Sequence, residues 1–157
     1  MLTLVPDEVV NSILKKRLAY SDWKHMGLCL DGYPKTEEQI KFLQNELNFD
    51  VDLMIILEAS DETIKRRSLN RKVDPESGLT YSEEEVLNLN NPSILNRLTA
   101  MTNQESSVLQ ERLKRWENLN IIFTNHFQKK IIRIDSDFSK KNVMEKLSHV
   151  LENYAFK

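Results

Sequence analysis

Apolar residues follow two rhythms along this chain. In four stretches they return every three or four positions, which lines them up on one face of a helix. Val10, Ile13, Leu14 and Leu18 form the first stripe, and Ile40, Phe42, Leu43 and Leu47 the second. Val108, Leu109, Leu113 and Trp116 belong to a long helix over residues 105–127. Val143, Met144, Leu147, Val150 and Leu151 are expected to face inward on a closing helix over 139–154. Between these lie short apolar runs at 27–30, 51–57 and 131–134, which read as strands. The run at 51–57 is nearly continuous and predicts a strand covered by helices on both faces. Helix-start signals agree with this division. Pro6-Asp7-Glu8 places a proline and two acids in a first turn, and Ser60 is a capping hydroxyl followed by Asp61 and Glu62. Thr36 with Gln39 fits a capping box. Strands alternating with helices predict an α/β fold with a parallel sheet.

The helix opened by Ser60 is expected to carry Lys65, Arg66, Arg67, Arg71 and Lys72. Arg67 and Arg71, four apart, then share one face. Such a pair reads as a solvated basic face, or as a clamp in which a polyanion turns repulsion into charge-assisted bidentate contacts. Residues 73–104 are polar and broken by turn signals at Asp74-Pro75, Ser77-Gly78 and Asn91-Pro92. That length predicts a flap with a little helix of its own inside the domain.

Composition narrows the classes. A chain of 157 residues predicts one domain, over 1–157, and a net charge of −2 argues against a nucleic-acid scaffold. The single cysteine, Cys29, supports neither a disulfide framework nor a thiolate metal site and is expected as a small core side chain. No apolar run is long enough to span a bilayer, and the N-terminus lacks the pattern of a signal peptide, so the expectation is a soluble cytoplasmic protein. His25, His126 and His149 are spaced for neither a metal nor a proton relay and are expected on the surface.

The candidate chemistry gathers in Leu28-Cys29-Leu30-Asp31-Gly32-Tyr33-Pro34-Lys35-Thr36-Glu37-Glu38-Gln39. A carboxylate at a strand exit, a Gly-aromatic-Pro turn, a cation and a helix start follow one another. Ligands of open α/β sheets bind just beyond such strand ends. Asp31 could hold a metal-bound water and Lys35 could meet a phosphate; the same residues also suit an ordinary strand-turn-helix junction.

These residues carry a family resemblance. The chain resembles the adenylate kinases, which are nucleoside monophosphate kinases, from their AMP-site region to their C-terminus. The landmarks come in family order: Leu4-Val5-Pro6-Asp7-Glu8, then Asp31-Gly32-Tyr33-Pro34-Lys35-Thr36-Glu37-Glu38-Gln39, then Arg67 with Arg71. Val73-Asp74-Pro75-Glu76-Ser77-Gly78-Leu79-Thr80-Tyr81 and Glu111-Arg112-Leu113 complete the series. The resemblance implies a three-layer α/β fold with a lid-like insertion at 73–104, and phosphoryl transfer between ATP and AMP with Mg²⁺. By resemblance, Leu4, Val5, Gly32, Lys35 and Gln39 bind AMP, with Gln39 reading the adenine edge. Arg67 packs by the ATP adenine, Arg71 and Arg112 reach the transferring phosphates, and Asp31 orients the metal's water shell without ligating it. Local roles compete: Leu4 and Val5 suit a hydrophobic helix entry, Gln39 the capping box, and Arg112 an exposed helix segment.

Departures from the family matter as much. Such kinases start with a strand and a loop of the form G-x-x-x-x-G-K-S/T, whose amides cradle the donor phosphates. Gly27 and Gly32 have the right separation, but Tyr33-Pro34 follows and strand residues lie between them. The loop and its strand are expected to be missing, leaving the sheet incomplete with unpaired edges. Lys35 stands where the family usually has arginine, which forfeits the planar fork. Met101 replaces a lid arginine, and Asn103 and Gln104 replace two lid acids. Arg97 is a candidate substitute for the arginine. The lid has no cysteines, which excludes the zinc-bearing version. Two functions follow: part of a working adenylate kinase completed by a missing N-terminal segment, or a non-catalytic pseudokinase-like module that binds a protein partner. Neither involves nucleic acid or membrane.

Overall fold

The computed structural model describes residues 5–101 and 106–154, so Leu4, Asn103 and Gln104 lie outside the described residues. In chain order the elements are α1 (Asp7–Leu18), α2 (Trp23–Met26), α3 (Glu37–Lys41) running into a π-helical turn (Phe42–Glu46), and β1 (Met54–Glu58). Next come α4 (Asp61–Ser68), β2 (Lys72–Val73), β3 (Thr80–Tyr81), α5 (Glu83–Leu87), α6 (Pro92–Leu95) and β4 (Thr99–Ala100). The chain continues as α7 (Ser106–Phe127), a 3₁₀ turn (Gln128–Lys130), β5 (Ile131–Asp135) and α8 (Lys140–Asn153). The architecture is α/β, with a small parallel sheet of two strands, β1 and β5. No described helix is long and apolar enough to cross a membrane.

The chain folds as two compact units. The first joins the residues up to Met54 with Trp116–Ile131. Its buried apolar side chains are Leu14, Ile40, Phe42, Leu43, Phe123 and Phe127. The Trp23 ring packs on Phe49 at 5.3 Å between centroids, and its indole N–H donates to the Leu18 carbonyl. These contacts hold the short helix α2 between α1 and the segment at 27–30. The second helix stripe is correct in place but not in pitch. After Lys41 the ladder widens, and the Leu47 amide donates to the carbonyl of Phe42, five residues back.

The second unit joins Ile55–Arg115 with the residues that follow Ile131. Ile56, Leu109 and Ile134 are its buried apolar side chains. The Ser136 amide donates to the Glu58 carbonyl at 2.6 Å, carrying the β1–β5 register one step past the strands. Ser60 caps α4 as expected, accepting from the Thr63 amide. The flap is more ordered than its polarity suggested. β2 is the centre of a three-stranded antiparallel sheet, with Lys72 opposite Tyr81 and Ala100, and Val73 opposite Thr80 and Thr99.

The expected strand at 27–30 fails for a simple physical reason. A strand exists only through its ladder partner, and residues 27–30 have none among the described residues. Asp31 therefore leaves an unpaired segment, not a strand. Cys29 is exposed there rather than a core side chain. Leu57 on β1 is 53 % exposed, so this strand is not covered on both faces. Ile13, on the apolar stripe of α1, is 62 % exposed, and Met144 and Leu151, expected to face inward on α8, are exposed too. Periodicity identifies an apolar face; what covers that face is a tertiary matter.

Candidate functional site

In the first unit the site grows from two helix N-termini. Pro6 precedes α1 and puts Asp7 in its first turn; Thr36, in extended conformation, caps α3 and accepts from the Gln39 amide at 3.1 Å. Asp7 then ties the two starts together. One carboxylate oxygen accepts from the Thr36 hydroxyl at 2.8 Å, the other from Gln39 Nε2 at 2.7 Å. Gln39 Oε1 accepts from the backbone amide of Lys35 at 2.6 Å. The expected capping box is therefore half right. Thr36 caps, but Gln39 reaches one residue past it, because Asp7 holds the other end of its amide. In sequence Asp7 reads only as a helix-start acid, because its pairing across 32 positions leaves no local signal.

The Tyr33 hydroxyl donates to Asn11 Oδ1 at 2.8 Å. Burial, reinforced by the nearby Asp7 charge, pushes this phenol up to about 12, so it stays a donor at neutral pH. Around these groups lies a recess of about 290 Å³. Val5 and Val10 supply its apolar wall, and Asp31, Gly32, Tyr33, Lys35 and Gln39 the rest. Five predicted residues thus come together: Val5, Asp31, Gly32, Lys35 and Gln39. Gly32 is in the left-handed region at φ +66°, and a Cβ there would lie 3.3 Å from Lys35 Cε. Gly32→Ala is expected to cost about 1–3 kcal/mol in backbone strain and to push the Lys35 side chain out of its seat. Urea unfolding with circular dichroism checks the first effect.

In the second unit the arginines are arranged differently from the sequence expectation. α4 stops at Ser68, Leu69 is extended, and Asn70 is left-handed at φ 59°. Arg71 therefore leads into β2 and does not share a helix face with Arg67. Arg67 donates to the carbonyls of Ser136 and Phe138 at 2.7 and 2.8 Å, and Arg71 donates to Thr80 Oγ1 at 2.7 Å. Arg112 is exposed on α7.

Asp74, 0 % exposed beside the β3-β2-β4 sheet, is a heavily bonded charge. The Arg97 guanidinium donates to both its oxygens at 2.7 Å, Ser77 Oγ donates at 2.6 Å, and the Glu76 amide at 3.1 Å. Arg97 also pairs with Glu76. The Arg97 fork, then Ser77, hold the Asp74 carboxyl well below the usual carboxylate range. Arg97 is therefore committed to a structural staple within the β3-β2-β4 segment. The Asp74-Pro75 and Ser77-Gly78 signals predicted the turn; its partner 23 positions away had no local sign. His25, His126 and His149 are exposed, as expected.

Among the described residues no three His, Cys, Asp or Glu side chains gather as a metal cage.

No protein-family model matches the chain. Curated proteins do. An adenylate kinase of Petrotoga mobilis is 30% identical over 163 residues, covering 96% of this chain and 72% of that protein. The chloroplastic adenylate kinase of Zea mays is 30% identical over 153 residues, covering 94% of this chain and 66% of the relative. An adenylate kinase of Streptococcus sanguinis is 41% identical over 81 residues, half of this chain and 38% of the relative. The chain thus spans from about two thirds to nearly three quarters of the relatives that match along almost its whole length.

Proposed function

The chain belongs to the adenylate kinase family, and from that premise we propose that it carries the acceptor and lid parts of a phosphoryl-transfer enzyme acting on AMP and ATP. The observation that carries the reading is the recess beside α3, where Lys35 and Gln39 line one small space with Val5 and Val10. An apolar wall suits a base face, an amide suits its polar edge, and an ammonium suits a phosphate. Leu4, Val5, Gly32, Lys35 and Gln39 are the proposed AMP residues. Lys35 acts as a point charge without a fork, so its phosphate contact is weaker than an arginine's.

ATP is proposed to engage the second unit. The Arg67 guanidinium is held flat by two carbonyls and offers its face to an adenine, while Arg71 and Arg112 supply positive charge to phosphates. Mg²⁺, arriving with ATP, would neutralise phosphate charge, and Asp31 would accept from its water shell. Residues 73–104 serve as the lid. The protein's proposed task is positioning and charge neutralisation. The donor-phosphate loop is not among these 157 residues, so turnover is assigned to an assembly completed by an N-terminal segment or a protein partner, in the cytoplasm.

A second reading, a non-catalytic kinase-like interaction module, draws on the lid. Arg97 is committed to Asp74 and Glu76, and an exposed methionine, Met101, stands where the family has an arginine. AMP binding that Lys35→Ala weakens about 10–100-fold supports the enzyme-derived reading; its absence from a folded chain favours the module.

A further inference from the structure

Gln39 is 4 % exposed, and both ends of its amide are fixed by groups of opposite character. A carboxylate can only accept, so the end facing Asp7 must be the NH₂. A backbone N–H can only donate, so the end facing Lys35 must be the oxygen. Asp7 is itself held on its other oxygen by Thr36. What remains to Gln39 is one N–H and one lone pair, in a set order along the amide edge. Adenine offers an amino donor beside a ring-nitrogen acceptor, which one amide orientation pairs with bidentately. Guanine offers a carbonyl acceptor beside an N–H donor at the same two places. It requires the opposite orientation.

We propose that Asp7 is a positioning residue that sets base specificity: with the Lys35 amide it locks the Gln39 amide in one orientation, so the recess selects an adenine over a guanine monophosphate. This rests on the recess being the monophosphate site. Rotating the amide would set its oxygen against the Asp7 carboxylate and its NH₂ against the Lys35 N–H, leaving two buried clashes of like polarity. A freely turning amide would accept either base; a locked one does not.

The test is calorimetric titration of the full chain with AMP and GMP, for wild type, Asp7→Ala and Asp7→Asn. Wild type is expected to prefer AMP by roughly 5–150-fold, the worth of one bidentate contact. Asp7→Ala removes the acceptor, and the preference is expected to fall by about tenfold. Asp7→Asn keeps an acceptor oxygen for Gln39 and is expected to retain most of the preference, which a role based on charge alone would not permit. Should Asp7→Ala fail to fold, Asp7→Asn decides: loss of its preference overturns the lock. Equal weakening of both nucleotides in Asp7→Ala, with an unchanged ratio, also overturns it. Wild type that binds AMP and GMP equally overturns the lock and leaves the site standing; wild type that binds neither overturns the site.

Discussion

These 157 residues, purified and supplied with ATP, AMP and Mg²⁺, are expected to form ADP at least ~10⁴-fold more slowly than the roughly 1–100 s⁻¹ of ordinary kinases. In phosphoryl transfer the protein stabilises charge that spreads over the moving group, using amides, cations and metal already in place. Loss of a single preorganised donor costs about 10²–10³-fold. Glycines in this sequence occur only at 27, 32 and 78, and the pair with phosphate-loop spacing is followed by Tyr33-Pro34. Gly32 is already part of the recess, where its left-handed backbone seats Lys35. The G-x-x-x-x-G-K-S/T pattern does not occur in this sequence; on the proposed reading a cradle of amides and its lysine have to come from elsewhere, and two such losses multiplied give the factor above. A coupled assay reading ADP checks it. An ordinary kinase rate from this chain alone contradicts the assignment of turnover to a completed assembly.

The largest structural effect is expected from Arg97→Met. Asp74 is fully buried and takes two of its hydrogen bonds from that guanidinium. Removing one partner of a buried pair leaves an uncompensated charge, which is far more damaging than replacing both. The amides of the β3-β2-β4 sheet are expected to lose hydrogen-exchange protection by roughly a hundredfold, while those of α1 and α3 stay as they are. Asp74→Asn with Arg97→Met, which removes both charges, is expected to recover part of the loss. The pair also makes this sheet acid-labile. The folded carboxyl titrates well below its unfolded value, so its contribution is complete above the ordinary carboxylate range near pH ~4. It is lost progressively as pH falls below that range. Unchanged amide protection in Arg97→Met shows that the staple does not hold the sheet.

How much of this was legible in the sequence follows the range of each interaction. Thr36 and Ser60 act as helix caps and Gly78 makes its turn, because each depends on neighbours within a few residues, whereas Asn91-Pro92, a turn signal in the sequence, opens the short helix α6. The stretch from Asp31 to Gln39 was recognisable as a site because its chemistry is contiguous. Interactions between distant segments were not. Asp7 with Gln39 and Asp74 with Arg97 are side-chain pairs across 32 and 23 positions, and ordinary helix-start and turn chemistry disguised both acids. Arg71 was misplaced because a charge pattern at helical spacing does not reveal where a helix stops; Asn70 in the left-handed region does. The apolar run at 27–30 has strand composition, but no ladder partner among the described residues.

The central claim is that the recess beside α3 is a monophosphate site, and calorimetric titration of the folded chain with AMP, wild type against Lys35→Ala, tests it most directly. One AMP per chain is expected, with affinity reduced about 10–100-fold in the variant. A well-folded wild-type chain that takes up no AMP, or a Lys35→Ala variant that binds it as tightly as wild type, contradicts the claim.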